Sequence, residues 1–102
     1  MTLVKNLDML ALTKAIVQAE TGYFKHGSGV THNNGCGYMT WKSGTREFKR
    51  FESKQAGFDA CYSLIKRKYQ EYTIDGMANK WTGSDRADTW AYNVKHWYKK
   101  FI

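Results

Sequence analysis

The chain has 102 residues, of which 42% are hydrophobic and 16% aromatic, enough for one small core and too apolar for a disordered segment. Sixteen Lys and Arg against nine Asp and Glu leave a formal net charge of +7, which calls for an anionic partner: nucleic acid, a membrane surface or bacterial cell wall. No run approaches the ~20 apolar residues of a membrane span, and Met1-Thr2-Leu3-Val4-Lys5-Asn6 lacks the basic and apolar regions of a signal peptide.

In chain order, Asn6 is the expected cap of a first helix that runs to about Glu20, with Leu12, Ala15, Ile16 and Ala19 forming one buried stripe. Residues 22–37 hold five glycines and the pair Asn33-Asn34, and read as loop. Tyr38 to Trp41, a turn at Lys42-Ser43-Gly44-Thr45, and Arg46 to Phe51 read as a short β-hairpin. Ser53 is a good N-cap for a helix over residues 54–70, whose apolar stripe is Phe58, Cys61, Ile65 and Tyr69. Thr73 caps a shorter helix with Ile74, Met77, Ala78 and Trp81 on one face. Thr82-Gly83-Ser84-Asp85 ends it and caps a last helix presenting Trp90, Ala91, Val94, Trp97, Tyr98 and Phe101 inward. The expected class is α+β, predominantly helical: a single domain over residues 1–102, with four helices and a small hairpin inserted after the first.

Glu20 is the residue most suited to chemistry. It closes the first amphipathic run, and positions 21–46 behind it hold no carboxylate, only a stretch rich in Gly, Asn, His and aromatics. Apolar walls raise a carboxyl pKa towards neutrality, which makes a general acid. His26 and His32 flank the glycine loop but match no metal-ligand spacing, and His96, beside Trp97, is expected to be partly buried. No metal and no cofactor is expected. Cys36 and Cys61 lack CxxC spacing, and Cys61 falls on an apolar helical stripe, so buried free thiols are expected.

The order of a helix ending in Glu, a Gly-rich loop, a hairpin and a helical lobe resembles that of lysozyme-like folds. Ala15-Ile16-Val17-Gln18-Ala19-Glu20-Thr21-Gly22-Tyr23 resembles the signature of soluble lytic transglycosylases, in which the catalytic Glu precedes Ser and Gly-aromatic; Thr21 keeps the hydroxyl. Gly37-Tyr38-Met39-Thr40 is similar to that family's Gly-Leu-Met-Gln segment, with Thr40 at the Gln position, and Ala91-Tyr92-Asn93 to its Ala-Tyr-Asn motif, with Val94 where the family has Ala-Gly. Phage and plasmid muramidase-like proteins share a further order of motifs, here Asn33-Asn34-Gly35-Cys36-Gly37, Phe48-Lys49-Arg50-Phe51-Glu52-Ser53, Gly57-Phe58-Asp59-Ala60 and Trp81-Thr82-Gly83.

The resemblance implies cleavage of the β-1,4 bond between N-acetylmuramic acid and N-acetylglucosamine in bacterial peptidoglycan, with Glu20 as acid and base. It implies that Thr21, Tyr38 and Tyr92 orient Glu20 or the sugars, and that Met39, Thr40, Trp41 and Asn93 belong to the substrate site. Two-carboxylate glycosidases place their acids about 5 Å or roughly 6.5–9.5 Å apart. The phage lysozyme pattern has an Asp nine residues after its Glu, but Gly29 stands there; the next acids, Glu47 and Glu52, lie on or near the hairpin. Glu47 sits among Arg46, Lys49 and Arg50, where a surface salt bridge is expected. A lytic transglycosylase using Glu20 alone therefore fits better than a two-carboxylate muramidase. The rival of another class is a basic domain that binds cell wall or nucleic acid without cutting, since Lys66-Arg67-Lys68-Tyr69 and Tyr98-Lys99-Lys100-Phe101 mix cations with aromatics. A monomer is expected, binding no specific nucleic acid and acting at the cell wall of the periplasm or in phage lysis.

Overall fold

A computed structural model describes residues 2–102. It is predominantly helical α+β, with elements α1 (Met9–Thr21), α2 (Ser28–Thr31), β1 (Met39–Lys42), β2 (Thr45–Phe48), α3 (Lys54–Lys68), α4 (Ile74–Thr82) and α5 (Ala87–Phe101). The hairpin follows the first long helix as expected. Among the described residues the α-helices number five, not four, because one turn of helix, α2, forms inside the glycine-rich loop.

Asp8, not Asn6, caps α1: its carboxylate accepts the Ala11 N–H at 3.0 Å. Asn6 is taken up in a 3-10 turn, Val4–Asn6, because the preceding backbone is fastened elsewhere. Val4 N–H donates to the Tyr72 carbonyl and Lys5 N–H to that of Gln70, which pins the N-terminal segment to the α3–α4 connection. Ser53 and Thr73 cap α3 and α4 as their side chains predict. Asp85 does not cap α5. It lies in a 3-10 turn, Ser84–Arg86, and α5 begins at Ala87 without a side-chain cap.

The core lies where α1 packs on α5 and α3, with α4 closing one end. Leu12, Ile16, Ile65, Met77 and Val94 are fully buried there. Burying each such side chain contributes roughly 1.5–3 kcal/mol. Gly57 lets α3 lie directly on the loop, since a Cβ there would overlap the Asn33 carbonyl oxygen. His96 is exposed rather than partly buried, its ring edge-on to Trp97.

Cys36 and Cys61 form a disulfide, correcting the expectation of free thiols. Both are fully buried, and their Cα atoms are 6.2 Å apart, within bridging reach. The sequence places Cys61 on the inner face of α3 correctly; it does not reveal that the loop carries Cys36 onto that same face.

β1 and β2 pair antiparallel, Met39 opposite Phe48 and Trp41 opposite Arg46, around a two-residue turn in which Ser43 and Gly44 both have positive φ. A lone two-stranded hairpin is marginal in water. This one is bolted to the loop at its base. The fully buried Asn34 amide donates to the carbonyls of Tyr38 and Lys49, both at 2.8 Å, and accepts the Tyr38 N–H at 2.8 Å.

Candidate active site

Glu20 occupies the last turn of α1, on the side of that helix that faces α5. There the Trp90 indole N–H donates to Glu20 Oε1 at 2.6 Å. Trp90 is buried and stacks on Trp81 of α4, ring centroids 5.7 Å apart and planes 30° from parallel. Gly37 forms the third side: Glu20 Oε2 lies 3.5 Å from where a Cβ on Gly37 would stand. That is ordinary contact, so it is the φ of +73°, not lack of room, that favours glycine there.

Removal from water is the dominant influence on this carboxyl and lifts its pKa above the ordinary value. The Trp90 hydrogen bond, the Arg86 guanidinium and the Trp81 indole pull in the opposite direction without cancelling the effect of burial. The outcome is a carboxylic acid that keeps its proton to a higher pH than a solvated Glu while remaining at the edge of a cleft.

The cleft measures about 670 Å³, in the range of small-ligand sites. Its walls come from Ala19 and Glu20 of α1, Met39 and Phe48 of the hairpin, Trp81 and Thr82 of α4, and Thr89, Trp90 and Asn93 of α5. Asp85 and Arg86, from the 3-10 turn, complete it. A second groove of about 390 Å³ adjoins the first, sharing Gly37, Met39 and Trp81, and runs along β1 past Tyr38, Thr40 and Trp41.

Of the residues expected from sequence, Glu20, Met39 and Asn93 come together in the cleft, and Tyr38, Thr40 and Trp41 line the adjoining groove. Two are corrected. Thr21 is buried behind the site: its hydroxyl lies 2.8 Å from the Gly35 carbonyl and 3.1 Å from that of Val17, and accepts the Phe24 N–H. It ties the loop to α1 and has no face towards the cleft. Tyr92 is 72% exposed and lines neither recess, because two residues after the inward-facing Trp90 a helix presents its opposite side.

Glu47 and Glu52 are exposed and line neither the cleft nor the groove. The salt bridge expected for Glu47 is not formed; the ion pairs among the described residues are Lys5–Glu71 and Lys95–Asp75. The acid that does share the cleft with Glu20 is Asp85, whose place in a turn signal gave it only a capping role in the sequence. Trp81 and Trp90 were readable as inward-facing but not as cleft walls. The signal for Trp90 was polar: Thr89 and Asn93, one turn apart, flank it on the same side of α5.

His32 lies beside Thr31 and the Phe48 ring, outside the Glu20 cleft. Among the described residues, no three His, Cys, Asp or Glu side chains converge as a metal site, and no helix is long and apolar enough to cross a membrane. Comparison with protein-family models, with curated proteins and with solved structures gives no match to this chain.

Proposed function

We propose that the protein cleaves the glycan strands of bacterial peptidoglycan, with Glu20 as the acid that protonates the bond to be broken. One observation carries the reading: a carboxyl lifted in pKa by burial, held by an indole N–H, at the wall of an aromatic cleft. The motif resemblance to lytic transglycosylases and muramidase-like proteins supplies the substrate class.

In the transglycosylase reading, Glu20 gives its proton to the oxygen of the β-1,4 link as the muramyl C1–O bond breaks. The resulting carboxylate takes the proton of the muramyl C6 hydroxyl as that oxygen bonds to C1, closing a 1,6-anhydro ring and consuming no water. The substrate's 2-acetamido group stabilises the charge developing at C1. Trp90 holds one Glu20 oxygen fixed through both steps, while Trp81 and Met39 offer apolar surface to the sugar faces.

Asp85 in the same cleft favours a second reading, a hydrolase in which Asp85 activates water. Mass spectrometry of muropeptides from purified murein separates the two. Anhydromuramyl ends with an active Asp85→Asn variant support the first; reducing ends with an inactive Asp85→Asn variant support the second. Intact murein after prolonged incubation with folded parent protein overturns both. The disulfide accords with action outside a reducing cytoplasm.

A further inference from the structure

The groove beside the Glu20 cleft differs from it in charge. The cleft is walled by two acids and one cation: Glu20, Asp85 and Arg86. The groove is walled by three cations, Arg46, Lys68 and Lys80, and no acid. The two recesses share Gly37, Met39 and Trp81 as walls, so the groove lies immediately beside the cleft that holds Glu20.

Lys68 and Lys80 stand in the last turns of α3 and α4, where a cation complements the helix dipole, and that alone would account for either. It does not account for Arg46, which is on a strand directly across from Trp41. Nor does it account for the convergence of three elements on one recess. None of the three cations takes part in an ion pair among the described residues. Trp41, in the same groove, is 70% exposed, a large apolar surface left in water. An exposed indole in a groove that three cations line suits a ligand with a flat apolar face and carboxylates beside it.

We propose that this groove is the subsite for the carboxylate-bearing peptide substituents of the glycan, with Trp41 under a sugar ring and Arg46, Lys68 and Lys80 paired to the substituent's carboxylates. The assignment rests on the peptidoglycan reading and adds that the substrate is the peptide-bearing strand rather than the bare one. Arg46 is the strongest of the three, since a guanidinium grips a carboxylate with two parallel hydrogen bonds.

The test compares soluble glycan strands free of teichoic acid, with their peptides and after an amidase has removed them. The parent protein should cut stripped strands with kcat/KM about tenfold lower, through KM, as expected for contacts equally strong in ground and transition states. The triple variant Arg46→Gln, Lys68→Gln, Lys80→Gln should lose about tenfold on peptide-bearing strands and treat both strands alike. Raising the salt should erase the parent's preference, because exposed charge pairs are screened. Equal KM values for the parent on both strands, or a triple variant that keeps the preference, overturn the subsite and leave the glycan-cutting reading standing. A parent that cuts neither strand removes that reading and the subsite with it. A single-stranded oligonucleotide bound tightly at ~0.15 M salt by the parent and lost in the triple variant, with no effect of the peptides on KM, reassigns the groove to nucleic acid.

Discussion

Glu20 and Glu47 are one residue type in two settings. Glu20 ends a core helix, half-buried, with an indole N–H on one oxygen and glycine backbone beside the other. Glu47 sits in the middle of a strand exposed along its whole length, opposite Thr40 and surrounded by basic neighbours that it does not pair with. Burial lifts the pKa of the first. What sets the two acids apart is the dry wall supplied by α4 and α5, and no property of the glutamate itself.

The largest expected effect tests that contrast directly. Glu20→Gln should lower murein cleavage by roughly 10²–10⁴-fold, the usual worth of a positioned proton donor, with the fold retained by circular dichroism. Near-parental lysis in this variant would break the comparison.

Next in size is the bridge behind the glycine wall. Cys36→Ser opens a loop closed across 25 residues and should cost about 3 kcal/mol, read as a lower urea midpoint. The effect on cleavage should exceed that of an equally destabilising change in the α1–α3 interface, because Gly37 adjoins Cys36.

The raised pKa of Glu20 has a signed consequence for stability. The folded state holds this proton to higher pH than the unfolded chain, so the stability it contributes is complete below the unfolded pKa and is lost as pH rises through the folded one. Glu20→Gln removes that dependence. It should therefore be more stable than the parent above the folded pKa, by a margin that closes as the pH falls; parallel urea titrations across pH that never diverge would contradict this. In the same direction, Trp90→Phe takes away a hydrogen bond that favours the ionised carboxyl, so the alkaline limb of cleavage should move to higher pH.

Smallest is the control on the other side of the comparison. Glu47→Gln should leave turnover within a few-fold and stability within ~1 kcal/mol, since an exposed acid without a partner carries little. A large loss there would return the hairpin to the catalytic machinery.

Much of the fold was legible because its signals are local. Ser53 and Thr73 accept the N–H groups their types predict, and the Ser43-Gly44 turn sits between two short strands as the pattern requires. The errors have a common cause. Asn6 and Asp8 are equally able caps, and the choice is made by backbone bonds to residues near position 70. Cys36 meets Cys61, and Asp85 comes to line the same cleft as Glu20, through chain separated by tens of residues that no periodicity reports. For the site, Glu20 was visible from its place at the end of an amphipathic run beside an acid-free loop. Its indole partner was missed: helical spacing tells which face of α5 turns inward, and only the polar pair Thr89 and Asn93 beside Trp90 marks where that face opens on a cleft.

Asn34 gives the molecule a chemical clock. It precedes Gly35, the neighbour least able to shield an asparagine amide from attack by the following backbone nitrogen. That attack would release ammonia and close a succinimide, which water would open to a carboxylate, setting an acceptor where the Nδ2 donor now faces the carbonyls of Tyr38 and Lys49. The amide is fully buried and held by three hydrogen bonds, so water reaches it only when the base of the hairpin opens. A one-dalton gain in mass at Asn34 is therefore the expected chemical record of that opening.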